Sequence, residues 1–166
     1  MKGLRKMWQQ LETVLRDLVQ AYKNMTALGK KKKELLIAVD MKSLDQLLKV
    51  EEKLVQSIDR LEKQRGQVLM GMATKYPSLN ASSGMQQVIA ACPAERRGGL
   101  KALHRELGDA VAAAQELSAN NEVLIVHALN AVNFHLNRIG GAAVEPAYGQ
   151  KGQEVVTRPK NFDFRA

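Results

Sequence analysis

A stretch of about forty residues without a proline, 100–139, is the feature that most constrains how this chain can fold. Its apolar residues recur at steps of mostly three and four, which places them on one stripe of an α-helix of 3.6 residues per turn. The stripe consists of Leu100, Leu103, Leu107, Val111, Ala114, Leu117, Leu124, Ala128, Val132 and Ile139. At 1.5 Å per residue the helix is roughly 60 Å long. We expect the rest of the chain to supply helices that cover it.

The composition favours helices over sheets. Apolar residues make up 45% of the chain and aromatic residues only 4%, so Ala, Leu, Val and Met must fill the core. Such residues suit helix-on-helix packing, whereas sheets favour aromatic and β-branched side chains. Four prolines in 166 residues leave long stretches free to stay helical. We therefore predict an all-α fold.

Two more long helices are predicted before this stripe. The first, about 4–39, has a 4-3-4-3 seam with a second apolar line beside it, a face wide enough for two neighbours. The second, about 43–74, starts where Ser43 can act as N-cap with Gln46 three residues later. Because the connection is short, these two helices are expected to be antiparallel.

The remaining segments complete the predicted architecture. A short helix is expected near 83–92, followed by the third long helix at about 94–139, which ends before two glycines. Together the segments predict an elongated antiparallel bundle, or coiled coil, of three long helices with a flexible C-terminal tail. The predicted domains are a helical bundle, 1–140, and a tail, 141–166, which has no helical period and is expected to order on a partner.

Two residues interrupt the apolar patterns. Gly29 lies inside the first helix, where glycine costs about 1 kcal/mol relative to Ala, so a bend or a frayed joint is expected at 29–33. Asn121 is the polar position on the stripe of the third helix. A single Asn in an apolar seam fixes the register of packed helices at some cost in stability.

The net charge of +8 is concentrated near the start of the chain. Residues 1–42 hold ten Lys and Arg against four Asp and Glu. The four lysines 30–33 cover a full helical turn, so they cannot share one face, and no aromatic residue among them could stack on bases. A solvated helix is therefore favoured over a nucleic-acid site, and a protein neighbour suits the 3.5-residue repeat better than a membrane surface.

No motif in the sequence indicates catalysis. Phosphate-binding loops, dinucleotide fingerprints and nucleophile elbows are absent, and no His lies three or four residues from another His or Cys. Cys92 follows Ile89, Ala90 and Ala91, which indicates simple burial. We expect no enzyme, no cofactor and no metal site.

The location is predicted to be the cytoplasm. A single cysteine suits a reducing compartment. The first residues are interrupted by charges, unlike a signal peptide, and no apolar run reaches the length of a membrane span.

Short motifs lie along the predicted helices and the tail: the stretch 38–44, the patch Glu51-Glu52-Lys53-Leu54, the segment Asn121-Glu122-Val123-Leu124, Leu129, and Tyr148-Gly149 with Gly152. In these motifs and in the order of its segments, the chain resembles the FlgN family of flagellar export chaperones. The resemblance covers most of the chain, and the chain departs from the family in its basic first helix.

The resemblance implies a cytoplasmic, non-catalytic chaperone. Such a protein binds the C-terminal helical segments of hook-associated proteins of the hook-filament junction, prevents their premature assembly and delivers them to the flagellar type III export gate and ATPase machinery. Until they assemble, the helical segments of the client need an apolar surface that covers their own apolar residues. The candidate client-binding residues are Leu124, Ile125, Ala128, Leu129, Val132 and Leu136, with Phe162 and Phe164 in the tail. Tyr148 with Gly149 is the candidate export-gate contact, because it is an isolated aromatic beside a glycine.

Two other functions compete with this one. The apolar residues of the third helix would also suit a structural coiled-coil adaptor, in which they pack against a second copy of the chain. A homo-oligomer is therefore the competing expectation. A basic nucleic-acid-binding helical protein ranks third, with a steep salt dependence traced to residues 30–33 as its signature.

Overall fold

A computed structural model describes residues 2–140 as four helices, with no strand in that part of the chain. They are α1 (Lys2–Ala38), α2 (Met41–Ala73), α3 (Met85–Ala91) and α4 (Ala94–Gly140). The all-α prediction is confirmed, and each predicted helix agrees with the observed one to within two residues at both ends. α1 continues without interruption through Gly29, so the expected frayed joint is wrong.

The described residues divide into two units, one that ends at Asn121 and one that begins at Glu122. The first contains α1, α2, α3 and α4 as far as Asn121, and the second contains the part of α4 from Glu122 onward. The boundary therefore falls directly after the polar position on the α4 stripe. Residues 141–166 lie outside the described residues, so the separate tail stays a prediction.

The core of the first unit lies along the predicted seam of α1. Four successive seam residues, Trp8, Leu11, Leu15 and Leu18, are buried. They pack in one cluster with buried residues from the other three helices: Ile58, Leu69 and Met72 of α2, Val88 of α3, and Leu100 and Leu103 of α4. Large aliphatic residues on one stripe of each helix thus account for the packing of the first unit.

Polar contacts define the helix directions in the first unit. α1 and α4 run in the same direction, because their contacts rise in number together: Glu12 with Arg96 (2.8 Å), Lys23 with Glu106 (2.6 Å), and Gly29 with Asn121 (2.8 Å). α2 returns antiparallel to α1, as predicted. Lys32 Nζ lies 2.8 Å from Glu51 Oε2 across this hairpin, with both side chains largely covered.

The turn between α1 and α2 corrects the predicted N-cap. Asp40, not Ser43, caps α2, since its carboxylate accepts hydrogen bonds from the Ser43 hydroxyl (2.7 Å) and the Ser43 backbone N–H (3.0 Å). Asp is as good a cap as Ser, and α2 gains a turn by starting earlier. The bond from the Ser43 hydroxyl, and after it the bond from the backbone N–H, lowers the pKa of Asp40. The stability that the Asp40 cap contributes is therefore present at neutral pH and is lost as the pH falls through the folded-state pKa of Asp40.

The segment around α3 covers one end of the first unit. The Trp8 indole N–H donates a hydrogen bond to the Tyr76 hydroxyl (3.1 Å), and the two rings meet edge to face at 5.5 Å. Cys92 is buried in the same cluster, and burial raises the pKa of its thiol. This position agrees with the prediction that Cys92 is a core residue.

Candidate functional site

The candidate site is one face of α4 within the second unit, here called the α4 face. It comprises the six residues predicted from the sequence: Leu124, Ile125, Ala128, Leu129, Val132 and Leu136. Within it, Ile125, Leu129, Val132 and Leu136 follow steps of four, three and four, so the helix brings them onto one stripe. Apolar residues at this spacing are those by which one helix packs against another.

Exposure changes along the α4 face. Leu124, Ile125 and Ala128 are half-buried. Leu129, Val132 and Leu136 leave 47%, 52% and 60% of their surface exposed. Large apolar side chains that stand together in water are the usual mark of a protein-binding surface. The more exposed end of the α4 face is therefore the part available to a partner.

Sequence reasoning missed a second set of exposed apolar residues in this unit. Val123, Val126 and Phe134 point away from the stripe of the α4 face and are also exposed. The signal was present in the run Val123-Leu124-Ile125-Val126, because four consecutive residues cover every side of a helical turn. A helix that is apolar on all sides is typically enclosed by partners.

The second unit offers few charges for recognition. Between Glu122 and Gly140 the only residues that are charged at neutral pH are Glu122 and Arg138, and the other polar groups are two His and three Asn. His135 is exposed and meets the ring of Phe134 edge to face at 5.8 Å. Recognition through this segment must therefore depend on apolar burial and shape more than on ion pairs.

The lysine run 30–33 lies on α1 in the first unit, and its side chains differ in exposure. Lys32 is half-buried and pairs with Glu51, whereas Lys30, Lys31 and Lys33 are exposed. The prediction that the four side chains cannot share one face is confirmed.

The remaining predicted site residues lie outside the described residues. These are Tyr148, Gly149, Phe162 and Phe164. Within 2–140, no group of three or more His, Cys, Asp and Glu side chains could hold a metal ion. No helix in that range is both long enough and apolar enough to cross a membrane.

Comparison with known protein families places most of the chain in a family model. A family model described as FlgN protein matches residues 7–155, which include α1, apart from its first turn, and all of α2, α3 and α4. Searches of curated proteins and of solved structures return no match.

Proposed function

The chain belongs to the FlgN family, whose members are flagellar export chaperones, and from that premise we propose that it binds the C-terminal helical segments of hook-associated proteins in the cytoplasm. Binding keeps these segments from assembling before export. The complex then delivers the client to the flagellar export gate and its ATPase machinery. The protein acts by binding and performs no catalysis.

The exposed half of the α4 face is the observation that carries this proposal. Leu129, Val132 and Leu136 present a seam with steps of three and four residues and with nothing charged between them on that stripe. An amphipathic client helix can lay its own apolar residues along such a seam, as helices do in hydrophobic grooves. The client gains the burial that it would otherwise find in the assembled junction. Phe162 and Phe164 are proposed to add two aromatic contacts.

The direct test is co-purification. The tagged full-length chain, expressed in flagellated cells, is expected to co-purify with hook-associated proteins. Clients that lack their C-terminal helical segments are expected not to co-purify. If truncated and complete clients co-purify equally, the chain binds another segment of the client and the proposal is wrong.

Delivery is assigned to Tyr148 with Gly149, in the proposed tail. We expect Tyr148→Ala to reduce secretion of hook-associated proteins severalfold while co-purification with them stays unchanged, because a gate contact acts after client binding. Secretion is measured in culture supernatants, with Tyr22→Phe in α1 as a control for changes at tyrosine. Secretion at the wild-type level would remove Tyr148 from this role.

Self-association is the second candidate function. It is favoured by Val123, Val126 and Phe134, which leave apolar surface exposed beside the α4 face. Light scattering of the purified chain in dilute solution separates the two functions. A monomer that becomes a one-to-one complex with client supports the chaperone, and a stable dimer that excludes client supports the adaptor.

A further inference from the structure

A second exposed apolar group surrounds the turn between α1 and α2. Ile37, Val39 and Met41 leave 66%, 66% and 54% of their surface exposed. They lie within five consecutive residues at the end of a helical hairpin, and none of them belongs to the core cluster of the first unit. Residues 30–42, which contain this group, are here called the hairpin tip.

Val39 is the least expected residue of the hairpin tip. Its φ of 56° lies in the left-handed region, where a β-branched side chain is strained and glycine is the usual choice after a helix. Its side chain is also exposed, so it neither suits its backbone nor packs into the core. The folding of this chain gives no reason for valine here, which points to a contact outside the chain.

Lysines accompany the apolar group. Lys30 and Lys33 precede Ile37 by seven and four residues, so all three lie on one stripe of α1. Lys31 is exposed beside them, and Lys42 is exposed on the first turn of α2. Within residues 2–140, none of these four ammonium groups forms an ion pair, in contrast to Lys32 with Glu51 and Lys49 with Asp45.

The charge balance of this region is positive. Residues 30–50 hold six lysines against three acidic residues, a net charge of +3. Asp45 is paired with Lys49, whereas Asp40 bonds only to the neutral Ser43 and keeps its negative charge. Asp40 and Glu34 are both exposed, so a negatively charged partner would meet these two acids together with the four lysines that form no ion pair within residues 2–140.

We propose that the hairpin tip binds an anionic lipid bilayer surface. Ile37, Val39 and Met41 enter the boundary between headgroups and acyl chains, and the lysines behind them contact the negative headgroups. Each part alone gives weak association, and the two together give reversible binding that depends on lipid charge. This proposal does not rest on the client-binding function of the α4 face.

The residue types favour a lipid surface over other partners. Protein interfaces are enriched in aromatic residues and Arg and depleted in Lys, and the hairpin tip has lysines with neither aromatic residues nor Arg. A nucleic acid would use the lysines, but exposed Ile, Val and Met gain nothing from a phosphate backbone. A diffuse negative surface above an apolar layer uses both groups.

The test is co-sedimentation of the full-length chain with vesicles. We expect binding to vesicles of phosphatidylcholine with phosphatidylglycerol, much weaker binding to phosphatidylcholine alone, and release by salt. Lys30→Gln, Lys33→Gln and Lys42→Gln combined should reduce binding at least tenfold, as should Ile37→Ser with Met41→Ser. The matched control is Met70→Ser in α2, whose side chain is 62% exposed outside the hairpin tip.

Val39→Gly keeps the test independent of folding defects. Glycine relieves the strain at this backbone position, so the melting temperature should rise by a few degrees while vesicle binding falls severalfold. Equal binding of wild type to neutral and anionic vesicles, or no binding to either, overturns the proposal. The proposal is also overturned if the lysine variant loses vesicle binding while the variant with Ile37→Ser and Met41→Ser binds as wild type does. That result would show attraction by charge without insertion of the apolar side chains. If the hairpin tip variants instead lose a flagellar protein partner while wild type ignores vesicles, the tip is a protein-docking site and the lipid proposal is wrong.

Discussion

Replacing both Leu129 and Leu136 by Asp is expected to abolish co-purification with hook-associated proteins while the helical content of the chain stays the same. In the free chain both side chains are exposed, so the substitutions remove little packing. In the proposed complex both are buried, and since each is about half covered in the free chain, each contributes about half of the 1.5–3 kcal/mol of a full burial. Losing two of them costs about 1.5–3 kcal/mol, which is roughly ten- to a hundredfold in affinity, and the desolvation of two carboxylates adds several kcal/mol more.

The matched control for this variant is Met70→Asp. Met70 is an exposed apolar residue on a long helix of the first unit and is not part of the α4 face. Met70→Asp places one carboxylate, where the double variant places two, on the same kind of surface, and co-purification should be unaffected. Circular dichroism establishes that each variant keeps its helices. Retained client with the double variant contradicts the assignment of the α4 face.

A further variant asks whether the client covers one side of α4 or both. Phe134→Asp changes the second exposed set and leaves the stripe of the α4 face intact. If the client lies only on the α4 face, this variant binds as wild type does. Loss of client would mean that the partner encloses the helix, as the apolar residues on all its sides favour.

The periodicity of the sequence was enough to predict the helices, because each long helix buries a continuous apolar stripe. The seam through Trp8, Leu11, Leu15 and Leu18 shows why the prediction works. The spacing that places these residues on one face of the helix also identifies the side chains that the fold must bury. The N-cap was placed wrongly at Ser43 because Asp40, three residues earlier, is an equally good cap. Local sequence does not discriminate between two such candidates.

The candidate site was only half accessible to sequence reasoning. A search for one stripe found the α4 face and passed over Val123, Val126 and Phe134, which lie on other sides of the same helix. Exposure could not be inferred from a stripe alone, because the stripe is equally apolar at Leu103, which is buried, and at Val132, which is 52% exposed. Burial depends on which neighbours the fold supplies.

Gly29 is the clearest case in which the tertiary neighbour reverses a local interpretation. From the sequence it was a weak point of α1, since glycine lowers helix stability. In the structure a Cβ atom at this position would lie 2.8 Å from Leu117 Cδ2 and 3.0 Å from Leu117 Cγ. Its carbonyl accepts the hydrogen bond from Asn121 Nδ2 at 2.8 Å. Glycine is thus the residue that lets α1 and α4 approach.

Gly29→Leu is therefore expected to lower the free energy of unfolding by about 2 kcal/mol or more. Overpacking costs about 1–3 kcal/mol and sometimes more, and the gain in helix propensity returns only about 1 kcal/mol. The forced shift of Leu117 also endangers the bond from Asn121, which is buried and whose Oδ1 accepts no hydrogen bond within the described residues. Breaking that bond would leave a second buried polar atom of the same side chain unsatisfied.

Gly108→Leu provides the opposite expectation with the same substitution. Gly108 lies inside α4 with no atom within 4 Å of its would-be Cβ, so leucine there should raise the free energy of unfolding by up to about 1 kcal/mol through helix propensity alone. Urea unfolding of both variants measures the two changes, which should differ in sign and by about 3 kcal/mol. If Gly29→Leu also stabilises the chain, Gly29 is a weak joint after all and the close approach of α1 to α4 is not what holds Asn121 in place.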